Sequence, residues 1–192
     1  MKKLVFCVFF VCAFLLVAPA GAFETPVTDP QGKALLKKTG EDLKKYADMF
    51  NCKQFAFGNI SGGGTILTLQ FIPEGMDDPN QWTRMLSMTI YGLTGVREDD
   101  AKLVRKIIAG FESQYSSTAQ VTADENYLRD RDLSMFLEYT ADATKATPTQ
   151  VTSVFMRVSD KTYAFIQLNA RINELTPKES LTMRRLVNPS AK

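Results

Sequence analysis

The stretch from Thr65 to Leu93 reads TILTLQFIPEGMDDPNQWTRMLSMTIYGL, and it predicts two strands joined by a polar loop. Apolar residues recur at every second position on either side of the loop, at Leu67, Leu69, Phe71, Leu86, Met88 and Ile90. This period of two is typical of strands with one buried face. The intervening PEGMDDPNQ is rich in turn-forming residues. We therefore expect these two strands to form the centre of a sheet.

Helical patterns occur before, between and after the strand patterns. A helix is predicted from Pro30 to about Phe50, because Leu36, Leu43 and Ala47 recur on one face. A second helix is predicted from Glu98 to Tyr115. A third begins at the capping box Thr176-Pro177-Lys178-Glu179.

The other strand patterns lie on both sides of the central pair, at Lys53–Gly58, Ala119–Ala123, Leu133–Tyr139, Val151–Val158 and Thr162–Ile172. The pattern at Ala119–Ala123 is weak, and it could extend to Leu128. Short turns join most strands, which favours antiparallel pairing. We expect an α+β fold, an α/β sandwich whose largely antiparallel sheet of about six strands carries helices on one or both faces.

The N-terminus has the three parts of a secretory signal peptide. Lys2 and Lys3 precede the apolar run Leu4–Val17, and the small residues Ala20-Gly21-Ala22 follow it. The apolar run is shorter than the roughly 20 residues that a spanning helix requires. We predict a bacterial signal peptide at residues 1–22, a single globular domain at 23–192, and a periplasmic or secreted location.

The charge balance bears on the class of partner. Without residues 1–22 the chain holds 21 basic and 21 acidic residues, so its formal net charge is zero. A neutral chain has no bulk attraction for nucleic acid or for an acidic membrane surface. We expect a protein partner, no nucleic acid, and no membrane insertion after signal cleavage.

The residue types present restrict the chemistry. The chain has no histidine, and Cys52 is the one cysteine beyond the predicted signal peptide. A Ser-His-Asp triad, a Cys-His pair and an imidazole or thiolate metal site are therefore excluded. We expect no cofactor and no metal site. Cys52 is interpreted as a buried strand residue, with an intermolecular disulfide as the alternative.

A few polar and aromatic residues are candidates for function. Asp130 and Asp132 belong to the charged segment DENYLRDRD, and with Glu138 they are candidate carboxylates for acid–base chemistry. Solvated ion pairs are the simpler interpretation of these charges. Trp82 begins the second central strand beside the Asp-rich loop. Trp82 is either a core residue or a recognition residue. Our candidate binding residues are Trp82, Asp130 and Asp132.

The order of elements, together with Phe71-Ile72-Pro73 followed by Trp82 and an apolar strand, resembles the Mog1/PsbP-like (DcrB-like) fold of exported accessory proteins. The resemblance would cover most of the chain after residue 22. It implies an antiparallel sheet between helices and a binding or accessory role without catalysis. It implies no particular functional residues.

Three functions are consistent with these observations. The first is an exported, non-catalytic binding or accessory protein of the bacterial envelope or the medium. The second is a carboxylate-dependent hydrolase or lyase, which requires its acidic residues to meet in a cleft with raised pKa values. The third is a carrier of a small apolar ligand, which requires an enclosed apolar cavity.

Overall fold

The structure is a computed structural model, and it describes residues 30–61, 66–76, 81–91, 120–129, 132–141, 148–159, 162–171 and 175–192. Its elements in chain order are α1 (Pro30–Met49), β1 (Gln54–Ser61), β2 (Ile66–Ile72), β3 (Arg84–Tyr91), β4 (Gln120–Arg129), β5 (Asp132–Ala141), β6 (Thr149–Ser159), β7 (Thr162–Arg171) and α2 (Pro177–Val187). The predicted signal peptide and the helix predicted from Glu98 to Tyr115 lie outside the described residues.

The strands form one sheet in the order β1-β2-β3-β7-β6-β5-β4, and each described pair is antiparallel. The prediction of a largely antiparallel sheet in an α+β fold is confirmed. The sheet has seven strands rather than about six. The weak pattern near Ala119–Ala123 is part of β4, which extends to Arg129. As an edge strand β4 is only partly covered, so its sequence lacks a strict alternation of apolar residues.

One face of the sheet carries the core that the central strands predict. A continuous cross-strand row runs through Leu69, Met88, Ile166, Val154 and Phe136, and all five side chains are buried. The buried residues of α1 and α2 belong to the same cluster. Both described helices therefore pack on this face, which we call the helix face.

The opposite face is buried as well, which the alternation in β3 did not predict. Ser87 and Thr89 point away from the helix face, yet they are nearly inaccessible. Gln167 and Asn169 on β7 are also buried, and the Asn169 amide donates to Met85 O over 3.3 Å. Strands in the middle of a sheet covered on both faces lose their exposed side. The polar residues at alternate positions of β3 therefore marked the second face of the sheet correctly, but they did not show that this face is buried.

The end of α1 determines the position of β1. Asn51 has a φ of 55°, in the left-handed region. The Cys52 N–H donates to Ala47 O over 3.0 Å, and the Asn51 N–H donates to Asp48 O over 3.2 Å. These bonds form a Schellman motif, in which a left-handed residue satisfies the last helical carbonyls and turns the chain. The motif brings β1 back along the helix that precedes it.

The capping box predicted for the last helix is confirmed. The Thr176 hydroxyl accepts from the Glu179 N–H, and the Glu179 carboxylate accepts from the Thr176 N–H over 2.8 Å. Pro177 occupies the first turn, where its missing N–H is not needed. Met183 is the fully buried residue of this helix.

Candidate functional site

Trp82 lies two residues before the start of β3 and is half-buried. The guanidinium carbon of Arg171 lies 5.6 Å from the centroid of its ring, within the range of a cation–π contact. The Arg171 N–H donates to Thr83 O over 3.0 Å, which extends the pairing of β3 with β7. Trp82 is therefore neither a fully buried core residue nor a bare surface one, and its role in binding stays a prediction.

Of the two candidate aspartates, the structure describes the backbone of Asp132. Asp130 lies outside the described residues. Asp132 is the first residue of β5, where its backbone pairs with that of Arg129, and its side chain lies outside the description. Their proposed role in binding, or as paired carboxylates, stays a prediction.

Glu138, the third candidate carboxylate, is used to hold α2 on the sheet. It is half-buried on the helix face of β5, and the Ser180 hydroxyl donates to its Oε2 atom. The Thr122 hydroxyl of β4 donates to the Glu138 carbonyl over 3.1 Å. These partners join α2, β5 and β4, so Glu138 has a structural role here.

Glu125 on β4 makes a second connection to α2. Its Oε1 atom lies 2.9 Å from Arg184 Nη2, and its Oε2 atom accepts from the Tyr127 hydroxyl. The Arg184 guanidinium also lies 4.7 Å from the centroid of the Phe136 ring. Burial, and then the hydrogen bond to Glu125, raises the pKa of Tyr127 above its ordinary value. Tyr127 therefore stays a hydrogen-bond donor at neutral pH.

The N-terminus of α2 makes a third connection. Arg84 at the start of β3 donates from Nη2 to Glu179 Oε2 over 2.9 Å, and both side chains are largely covered. The same oxygen accepts from the Thr176 hydroxyl over 2.7 Å. Glu179 thus completes the capping box and an ion pair with one oxygen. We call these contacts, made by Arg84, Glu125, Glu138, Glu179, Ser180 and Arg184, the α2 clamp.

Cys52 is inert in this arrangement. It is completely buried beside Ala47 at the junction of α1 and β1. Burial is the main cause that raises the pKa of its thiol to about 11. A protonated, inaccessible thiol is not a nucleophile, and this fits the interpretation of Cys52 as a buried residue. Within the ranges that the structure describes, no group of three histidine, cysteine, aspartate or glutamate side chains is arranged to hold a metal ion.

The exposed large apolar residues among the described ones lie mainly at the β1 end of the molecule. Leu35 and Met49 on α1 are 50% and 46% exposed, and Phe55 on β1 is 42% exposed. Val121 on β4, at 58%, lies at the other edge of the sheet. We did not predict this surface from the sequence. Two features of the sequence could have indicated this surface. The apolar pairs Leu35-Leu36 and Met49-Phe50 extend beyond the single stripe that a helix buries, and the segment QFAFGNIS carries no charge.

Comparison with known proteins finds structural neighbours but no family. No family model matches the chain, and no curated protein matches it. The Ran-binding protein Mog1p of Saccharomyces cerevisiae is 10% identical, with a TM-score of 0.35, over 72% of this chain and 85% of that one. Protein PA94 of Pseudomonas aeruginosa is 11% identical, with a TM-score of 0.31, over 66% and 85%. Cyanobacterial PsbP (CyanoP) of Synechocystis sp. PCC 6803 is 11% identical, with a TM-score of 0.30, over 70% and 87%.

The resemblance drawn from the sequence is confirmed to the extent that Mog1 and PsbP proteins are among these neighbours. At such identities and TM-scores the likeness bears on neither function nor partner. The role of the protein is therefore argued below from its own residues.

Proposed function

We propose that the protein is exported and acts as a non-catalytic binding or accessory protein, with a protein partner, in the bacterial envelope or after secretion. The observation that supports this proposal is that side chains able to take part in catalysis serve the fold instead. Glu125, Glu138 and Glu179 each hold α2 in place, and Cys52 is buried. These three carboxylates and this thiol are thus used by the fold, while apolar side chains face solvent at the β1 end.

The N-terminal sequence supports export. Lys2, Lys3 and the apolar run Leu4–Val17 have the order of a signal peptide, and cleavage after Ala22 leaves a chain of zero formal charge. Such a chain depends on local contacts for recognition, because it has no bulk electrostatic attraction for nucleic acid. Among the described helices, none has the length and apolar character needed to cross a membrane.

The experiment uses the full chain with an affinity tag after Lys192, expressed in a bacterial host and purified from cytoplasmic, periplasmic, membrane and medium fractions. We expect a processed protein that begins at Phe23 and is recovered outside the cytoplasm with a protein bound in defined proportion. The control is a variant without residues 2–22, which should stay in the cytoplasm without that partner.

Two results would contradict the proposal. One is an unprocessed chain in the cytoplasm. The other is a processed chain that recovers no protein above the level of the control in any fraction.

A further inference from the structure

The two edges of the sheet are protected to different degrees. Among the described strands, β1 and β4 each have a neighbour on one side only. β4 contains Asp124, Glu125 and Arg129, whereas β1, with the sequence QFAFGNIS, contains no charged residue. Charged side chains and bulges are the usual means of keeping an edge strand from pairing with other chains. β1 has a bulge between Phe55 and Phe57 but lacks the charges.

Phe55 presents a fixed aromatic surface beside this edge. A Cβ atom placed on Gly58 would lie 2.9 Å from the tip of its ring, and one placed on Gly40 would lie 3.3 Å from the ring. Because neither glycine has a side chain, the Phe55 ring fits between α1 and β1. Phe55 also meets Phe71 edge to face, with 5.4 Å between ring centroids. An aromatic held on one side and exposed on the other is the type of residue that dominates binding energy at interfaces.

A stripe of lysines borders the Phe55 ring. Lys33, Lys37, Gly40 and Lys44 follow one another at steps of four, three and four, so they share one side of α1. The lysines are exposed, and Gly40 of the same stripe is the residue that the Phe55 ring approaches. Lys44 pairs with Asp48 over 2.7 Å. The described ion pairs include none with Lys33 or Lys37, so these two charges remain available at the surface.

We propose that the β1 edge, Phe55 and the Lys33–Lys37–Lys44 stripe form a docking surface for an extended acidic segment of another protein. The proposal rests on the proposed function and names its binding surface. The segment adds an antiparallel or parallel strand to β1 through main-chain hydrogen bonds. Its side chains on the helix face lie beside α1, where carboxylates meet the lysines and an apolar residue packs on Phe55.

Charge decides between this partner and a second copy of the chain. Residues 30–53 contain six lysines and three acidic residues, so the segment has a formal charge of +3. Two copies joined through β1 would bring these basic segments together, and like charges across an interface are unfavourable. An acidic partner removes that repulsion.

The test is photo-crosslinking in cells with the full chain, using benzoylphenylalanine in place of Gln54, the exposed β1 residue next to Phe55. The matched control carries the same group in place of Val121, which is exposed next to the bulge of the other edge strand, β4. We expect the Gln54 variant to crosslink a protein that mass spectrometry maps to an acidic, extended segment. The Val121 variant should give that adduct at about one tenth of the yield or less. This ratio corresponds to a roughly tenfold weaker affinity of the partner for the β4 edge than for the β1 edge.

Charge reversal tests the lysines separately. Lys33→Glu with Lys37→Glu should lower the adduct yield about fivefold or more, because each change replaces an attraction with a repulsion. Lys178→Glu, on the exposed start of α2, should leave the yield unchanged. Circular dichroism and thermal unfolding of each variant separate lost binding from lost folding.

Several results would overturn the docking surface: equal adducts at both edges, adducts only with a second copy or with lipid, a crosslinked segment without acidic residues, an adduct insensitive to charge reversal, or no adduct. The purification described under the proposed function separates the two claims. A partner that is recovered there but does not crosslink at Gln54 removes this surface and leaves the binding role in place.

Discussion

The same cross-strand row ends differently at the two edges of the sheet. At β1 it ends in Gly58, over which the Phe55 ring lies, and at β4 it ends in Glu125, which pairs with Arg184 of α2. The polar groups near β4 join a helix to the sheet, whereas Lys44 near β1 pairs only within its own helix, with Asp48, and no described ion pair involves Lys33 or Lys37. In our proposal, the end of the molecule at α2 contributes stability and the end at β1 contributes recognition.

This difference is local, because both ends share one core. α1 and α2 pack on the same face, and their buried residues belong to one cluster. What separates the ends is the set of contacts outside the core: at α2 there are ion pairs to the sheet and a capping box, and at α1 there is an exposed ring beside exposed lysines. Substitutions that affect one end and spare the other should therefore be found.

The largest contrast is expected between two phenylalanines at the two ends. Phe136 is completely buried and Phe55 is 42% exposed. Phe136→Ala should lower the free energy of unfolding by about 3–5 kcal/mol, because it removes a ring and leaves a cavity. Phe55→Ala should cost only about 1–2 kcal/mol, since part of the ring is already in water. Urea unfolding followed by circular dichroism measures both. Equal losses would make Phe55 a core residue and remove its distinct role.

The pH dependence of stability tests the junction that leads into β1. The thiol of Cys52 has an ordinary pKa of 9.0, which burial raises to about 11 in the folded protein. Its contribution is therefore complete well below pH 9 and is lost as the pH rises from 9 to 11, because in this range the thiol of the unfolded chain ionises more readily than that of the folded protein. Between these values the free energy of unfolding should fall by about 2–3 kcal/mol more for the wild type than for Cys52→Ala. Tyr127 is present in both proteins, so its effect cancels. If the free energy of unfolding of the wild type and of Cys52→Ala changed equally with pH, the junction of α1 and β1 would be open to water.

A smaller difference in stability is expected between the loss of the Arg84–Glu179 ion pair at α2 and the loss of the Lys44–Asp48 ion pair on α1. Glu179→Gln keeps an oxygen for the capping box but removes the charge that faces the half-buried Arg84. It should cost about 1–2 kcal/mol, with little dependence on salt, because covered pairs are poorly screened. Asp48→Asn removes the partner of Lys44 in an exposed pair and should cost less than about 0.5 kcal/mol. Thermal unfolding at low and high sodium chloride compares them. A larger loss for Asp48→Asn would reverse the assignment of stability to the α2 end.

Local sequence patterns predicted the elements well where a chemical signal is strong. Pro30 begins α1 and the Thr176–Glu179 capping box begins α2, because proline geometry and capping depend on adjacent residues. The alternation of Leu67, Leu69 and Phe71 predicted their burial. The same reasoning was less successful for β4, whose alternation is weak, and for β3, whose polar positions proved to be buried.

The candidate site was predicted less well than the fold. Among the candidates, Glu138 turned out to hold Ser180, a residue far away in sequence, and Trp82 turned out to lie beside Arg171. Neither partner follows from spacing, because strand order decides which distant residues meet. The exposed Phe55 was also missed, since an aromatic residue in a strand pattern normally predicts the core.

The sequence by itself determined the types of element, the apolar stripe of α1, the capping of α2, and the absence of histidine chemistry, because these depend on residues close together or on composition alone. The tertiary structure alone decided that β1 and β4 are the edges, that Glu125 and Glu138 fasten α2, and that Phe55 lies between Gly40 and Gly58 in contact with solvent. The physical reason is that edge position and exposure are properties of neighbours, and neighbours in a sheet are set by the order of strands rather than by their order along the chain.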